Sequence, residues 1–388
     1  MNVFVADPQW GWWIILYFFL GGIAAGAYVA ATLIDLAGSV RYREVARLGY
    51  WIAFPLICIC GLLLTVDLER PERFWHMLFK SEIVREARAQ GWPSTGASWK
   101  TISSAFMLKY WSPMSPGAWA LLIFGACSFF SALGGLWSDG RLHRWFRRSA
   151  FAHMLQVVGA GVGLFVASYT GALATATNQP VWSDSNWIAS LFLASAASTG
   201  LAMLSLIVHS RRSLEEEAGT GLTRAELWAV FLELCVFVAF LVSLGPLGTS
   251  AEPRPSLLRA LLATTSGKIF LIGTGVLGIL LPLFLLSPLG RVVRQRVVVA
   301  AVFALLGGFT ARYGLLQTAP EILNAPADVR ARYAVELGDH TPMPNWPTLP
   351  ERFHFSPEDG RTPGGGRGAD VNNRSSDFAP RSKVFDER

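Results

Sequence analysis

WGWWIILYFFLGGIAAGAYVAATLIDL, residues 10–36, and LGYWIAFPLICICGLLLTVDLERPERFW, residues 48–75, decide the fold. The first run holds no charge before Asp35. At about 1.5 Å of rise per residue, roughly 20 apolar residues cross a bilayer as one helix. Gly21, Gly22, Ala25 and Gly26 form a stripe of small residues along it. In lipid such a stripe lets a neighbouring helix approach closely. The second run ends on Asp67, just before a charged segment punctuated by Pro71. An acid at a membrane boundary is costly unless it is paired or used.

The rest of the chain extends this pattern. Of 388 residues, 52% are hydrophobic and only 15% charged, and the mean hydropathy is +0.39. Soluble domains carry about 25% charged residues. Apolar runs predict eight spans, near 12–36, 48–67, 117–137, 151–173, 187–209, 227–247, 268–287 and 296–318. Residues 1–11 contain no Lys or Arg, so the first run does not read as a cleaved signal peptide. The net charge of +6 does not point to nucleic acid, because the arginines sit in short loops between spans. Arg41, Arg43 and Arg47 fall in the first loop, Arg141, Arg144, Arg147 and Arg148 in the third. Arg211, Arg212 and Arg224 fall in the fifth, Arg291, Arg294 and Arg296 in the seventh. The positive-inside rule then places both termini on the non-cytoplasmic side of the cell (inner) membrane. The second loop, 68–115, lies on that same side and still carries seven basic residues against four acidic ones. Within it EIVREARAQ (82–90) has helical periodicity, which WPSTG (92–96) breaks. It reads as an interfacial helix or a docking surface.

Two echoes suggest a parallel repeat of four spans. FLASAASTGLAM (192–203) echoes FLGGIAAGAYVA (19–30), and SGKIFLIG (266–273) echoes SPGAWALLIFG (115–125). The tail after residue 318 is rich in Pro, Gly, Arg and Asp and has nothing to bury, so it is expected to be disordered or extended.

Chemistry is sparse. Cys58, Cys60, Cys127 and Cys235 lie inside apolar runs with no metal-site spacing, so neither a metal nor a disulfide is expected. Axial haem ligation needs His pairs on facing helices. Only His153 and His209 fall near span ends, and no haem is expected. Span directions gather polar groups at the outer face: Gln9, Trp12 and Tyr17 from span one, Asp67 from span two and Tyr169, Thr170 and Asn178 from span four. Arg312 and Tyr313 of span eight lie a turn or two below it. Such a set suits a quinone headgroup, with two carbonyls to receive hydrogen bonds and a flat ring to pack on aromatics. Asp67 would carry protons and Tyr169 would donate a hydrogen bond. Interfacial Trp and Tyr belts against lipid are the plainer alternative. Glu233, about two turns from the inner end of span six, fits either a proton path or a hydrogen bond to a neighbouring helix.

YFFLGGIAAGAY (17–28), DLERPERFW (67–75), SPGAW (115–119), SYTGAL (168–173) and GGFTARYG (307–314) together resemble the NrfD/PsrC family, the membrane anchors of polysulfide-reductase-like enzymes. The resemblance covers residues 10–318. It implies an all-α polytopic membrane protein with about eight transmembrane helices in two four-helix bundles. Residues 1–175 would form the first bundle, with the quinone site and the loop 68–115. Residues 176–318 would form the second, and 319–388 a polar tail. It also implies a non-catalytic subunit that exchanges electrons between a quinone or menaquinone and an iron–sulfur subunit, itself joined to a molybdopterin catalytic subunit. Tyr169 matches the family's YTG tyrosine and Asp67 the acid opening its DLxRP motif. Arg70 and Arg73 would dock the iron–sulfur partner or fix the loop. This chain has no His in span one, where some members place a polar or His residue beside the quinone, and Gln9, Trp12 and Tyr17 are the neighbours available there. The alternative is a secondary transporter or proton-translocating protein using Glu233. Against it, Pro55 and Pro282 interrupt helices at non-equivalent places.

Overall fold

A computed structural model describes residues 10–37, 40–68, 70–78, 114–136, 149–177, 179, 181–244, 257–292 and 295–323. All of them belong to one compact unit, Met1–Gly338. The helix expected near 82–90 and the tail beyond 323 lie outside the described residues.

The apolar runs form eight helices: α1 Trp12–Leu36, α2 Arg43–Asp67, α3 Met114–Leu136, α4 Ala150–Thr175, α5 Trp187–His209, α6 Arg212–Ser243, α7 Thr265–Leu286 and α8 Arg296–Leu323. Each contains a stretch long and apolar enough to cross a membrane, and no strand occurs among the described residues. In lipid a helix satisfies all its backbone polar groups internally, which is why apolar runs of this length fold this way.

The helices pack as two rings. In the first, α1 touches α2, α2 touches α3, α3 touches α4 and α4 returns to α1; α5 to α8 close the second in the same way. The rings meet chiefly through α1 and α5. Phe18 meets Phe192 edge to face at 6.2 Å, Gly22 lies against Ala196, and Gly26 against Gly200. The members of each pair are 174 residues apart, at four-residue steps along both helices, so α1 and α5 cross in parallel and in register. At Gly26 a Cβ would fall 1.9 Å from the Ala196 carbonyl oxygen, so backbone meets backbone there. Gly22 and Gly26 of the small-residue stripe read in the sequence lie on this seam, whereas Gly21 lies against Cys60 of α2.

The Asp67 end of the seam is capped by the turn between α4 and α5. Trp182 is fully buried, stacks on Trp10 at 5.0 Å and donates its indole N–H to the Leu315 carbonyl of α8 at 2.8 Å. Nearby, Glu321 of α8 accepts the backbone N–H groups of Thr265 and Ser266 at 2.7 and 2.8 Å. These are first-turn groups of α7 that the helix itself leaves unbonded. Glu321→Ala is expected to lower stability by about 1 kcal/mol. Hydrogen exchange should accelerate first at Thr265 and Ser266; unchanged exchange there would rule out the capping role.

Two features depart from the sequence expectations. The middle of α7, Phe270–Leu280, is π-helical, although no proline or charge lies within it. Gly278 there presses on Gly307 of α8, and Thr274 donates to the Gly307 carbonyl at 3.2 Å. Secondly, α6 starts at Arg212 rather than near 227. Glu226, just before the expected start, is fully buried.

Candidate functional site

At the Asp67 end of the first ring, four helices bring polar groups together. Tyr17 of α1 is 4% exposed. Cys60 of α2 points its thiol at the Tyr17 carbonyl, 3.7 Å away. Tyr169 of α4 is half-buried and stacks on Phe165 one turn earlier, at 5.5 Å and 23°. Its ring lies over Gly117, in the first turn of α3, where a Cβ would fall 2.4 Å from the ring and 2.5 Å from the hydroxyl oxygen. Only glycine admits the ring in that position. Tyr17 and Tyr169 lie within electrostatic reach of one another.

Asp67 ends α2 and is exposed. It is seven residues beyond Cys60, hence on the same helical face and about 10 Å farther out. Pro71 opens a 3-10 turn, Pro71–Met77, in which the Arg73 N–H donates to the Arg70 carbonyl at 3.0 Å. Arg70 and Arg73 are exposed, with Glu72 exposed between them, so Asp67 is followed by a short charged turn of mixed sign. The arrangement offers hydroxyl donors, a carboxylate with access to the surface, and aromatic walls.

The other expected members fall elsewhere. Trp12 is 57% exposed and stacks on Tyr313 of α8 at 5.2 Å. That stack continues to Phe309 at 6.2 Å. Five residues turn a helix by about 140° net, so Trp12 and Tyr17 leave α1 in different directions. Thr170 spends its hydroxyl on the Ala167 carbonyl of its own helix at 2.9 Å. Gln9 and Asn178 lie outside the described residues. Sequence reasoning missed Cys60, Phe165 and Gly117 as neighbours of the tyrosines, although SPGAW and the four-residue spacing of Phe165 and Tyr169 were available as signals.

Arg312 was expected with the outer-face group, yet it belongs to a second cluster. It is 1% exposed and donates to Ser195 Oγ at 2.6 Å, to the Gly308 carbonyl at 2.9 Å and to the Phe192 carbonyl at 3.3 Å. Its guanidinium lies 5.1 Å from the Phe192 ring centre. Glu233, 3% exposed, accepts from the Ser198 hydroxyl and feels the Arg312 charge. A buried cation needs such partners, and they draw Arg312 into the second ring. Glu233 is 15 residues from Ala218 and 10 from Ser243, the limits of the apolar span, so it sits near the middle of that span rather than two turns from its start.

Among the described residues, no three His, Cys, Asp or Glu side chains come together as a metal site. His153 and His209 each turn Nδ1 toward a carbonyl of the preceding turn, Ser149 at 3.2 Å and Ser205 at 2.9 Å.

Comparison with known proteins adds to this geometry. The chain matches the family described as "Polysulphide reductase, NrfD" over residues 5–324. It is 27% identical over 323 residues to a polysulfide reductase component of Wolinella succinogenes, covering 79% of this chain and 93% of that protein. It is 26% identical over 316 residues to the protein NrfD of Escherichia coli, covering 77% and 91%. A shorter match, 30% over 78 residues, links it to a selenate reductase component of Mesobacillus selenatarsenatis, covering 20% of this chain and 18% of that protein.

Proposed function

The chain belongs to the NrfD family of polysulphide reductase membrane proteins, and we propose that it is the quinone-handling anchor of a multi-subunit reductase complex. It is a multi-pass membrane protein. Its part would be to pass electrons between quinone in the bilayer and an iron–sulfur subunit, which serves a molybdopterin catalytic subunit.

The observation that carries this reading is the convergence of Tyr17 and Tyr169 below Asp67 at one end of the first ring. A quinone is a flat ring with two carbonyl acceptors and a long apolar tail. Tyr169, held over Gly117, has a fixed hydroxyl to aim at one carbonyl. Asp67 is placed to exchange the protons that accompany electron transfer with water at the surface. Arg70 and Arg73 lie on the exposed side of that site, as a docking surface for the iron–sulfur partner requires. The positive-inside pattern supports a site on the non-cytoplasmic side.

The test is to solubilise the chain from its native membrane and identify what accompanies it. An iron–sulfur protein, a molybdopterin protein and extractable quinone are expected. Purification alone and free of quinone would overturn the anchor reading. The rival, an ion-translocating protein, draws its support from the buried Glu233 and Arg312. Within the anchor reading, the same pair gives the second ring a part in moving protons.

A further inference from the structure

The buried stripe of α6 contains two carboxylates, Glu226 and Glu233, 0% and 3% exposed. They are two helical turns apart on one face, with α-carbons about 10 Å from each other. Across from them α5 carries Ser205 and Ser198, also seven residues apart. Ser198 bonds Glu233, and Ser205 faces Glu226. The Glu226 carboxylate and the Ser205 hydroxyl are buried facing each other, with no partner in regular hydrogen-bond geometry among the described residues. Leaving a buried polar group unbonded costs about 1–3 kcal/mol, and more for a charge.

The first ring shows that packing does not require these groups. The seam pairs Phe18 with Phe192, Gly22 with Ala196 and Gly26 with Gly200, and by that same 174-residue register Gly21, Ala24 and Ala31 of α1 are the counterparts of Ser195, Ser198 and Ser205 of α5. Trp51, Phe54 and Cys58 of α2 recur at the same spacing as Trp228, Phe231 and Cys235 of α6. That register puts Gly49 and Leu56 where α6 has Glu226 and Glu233. The stacked pair Phe165–Tyr169 recurs as Phe309–Tyr313, which puts Ser168 where α8 has Arg312. The first ring thus builds the same frame from small and weakly polar residues. Only the second carries paired acids, serines and an arginine at these places.

We propose that Glu226 and Glu233 are a proton relay through the second ring, between its Arg41 end and the α1–α5 seam. A proton entering near His209 binds the Glu226 carboxylate. It passes to the Glu233 carboxylate, leaving Glu226 ionised for the next, and Glu233 then releases it toward the α1–α5 seam before accepting another, so that both carboxylates return to their starting state. Transfer over that separation requires a water between the two carboxylates. The charged and titratable groups around the path are His209 and Tyr42 at its entrance, where Tyr42 lies against Gly221, and Arg312 at its far end. Arg312 reaches the seam itself, with Nη2 2.9 Å from where a Cβ on Gly22 would lie. The relay rests on the quinone reading for its driving force only.

The test uses the complex purified from its native membrane and reconstituted in liposomes enclosing a pH indicator. Glu226→Gln is expected to keep quinone-linked electron transfer and lose net proton movement, and Glu226→Asp to recover part of it. Unchanged proton movement in Glu226→Gln overturns the relay. A second measurement needs no variant. Dicyclohexylcarbodiimide, an apolar reagent for protonated carboxyls, is expected to label Glu226 or Glu233 of the native complex, as read by peptide mass. Failure to label either overturns the relay. Absence of quinone-linked electron transfer in the native complex would instead sink the quinone reading, and the labelling would still decide the relay.

Discussion

Gly200→Leu is expected to prevent the two rings from closing on one another. A Cβ at Gly200 would lie 2.4 Å from the backbone nitrogen of Ala27 and 2.4 Å from the carbonyl carbon of Gly26. Both atoms belong to a helix backbone, and neither can swing aside as a side chain would. The rings must then separate along the seam that buries Phe18 and Phe192. Helices in lipid associate through close packing rather than by escape from water, so lost contact is not regained elsewhere. The cost should exceed about 3 kcal/mol, the upper part of the usual range for overpacking. Size-exclusion chromatography in mild detergent should show aggregated or absent protein. Gly161→Leu is the control, since a Cβ there meets nothing within 4 Å. Wild-type behaviour of Gly200→Leu would mean that α1 and α5 are not in backbone contact.

Asp67→Asn is expected to lower quinol-linked turnover by about a hundredfold or more, the scale on which a positioned proton acceptor acts. Tyr169→Phe should lower it by about tenfold, the worth of one hydrogen bond made to a reacting group. Assembly should survive both changes. Asp67 is exposed at a helix end, and phenylalanine keeps the ring over Gly117. If both groups serve one site, the double variant should lose less than the product of the two single losses, because neighbours in one site are not additive. Full turnover in both single variants removes the site assignment.

Much of this molecule is legible in its sequence, for a physical reason. Bilayer thickness fixes span length, so uncharged runs reveal the helices directly. The stripe of Gly22 and Gly26 foretells the seam, because lipid offers few other ways to hold helices together. The start of α6 is hidden by the charges between Arg212 and Glu226, since charges normally mark water, and Glu226 here lies in the interior of a ring. Depth alone places Arg312 with the outer-face group, and depth does not say toward which neighbour a long side chain turns. Nearness in sequence groups Trp12 with Tyr17, although helical rotation sends them apart. Pro282 marks an interruption in α7, but a proline does not say that the stretch before it, Phe270–Leu280, turns π-helical while Gly278 packs on Gly307.

The in-register crossing of α1 and α5 also bears on descent. A face that meets its own equivalent across a two-fold axis is how a homodimer of a four-helix protein would be held. Once the two copies are joined in one chain, a substitution no longer appears on both sides at once. One half can hold phenols at a surface-accessible site while the other accepts buried acids and an arginine. Neither change must be tolerated twice. Two halves within one chain are free to differ, and these two do so where Gly49 and Leu56 stand in register with Glu226 and Glu233.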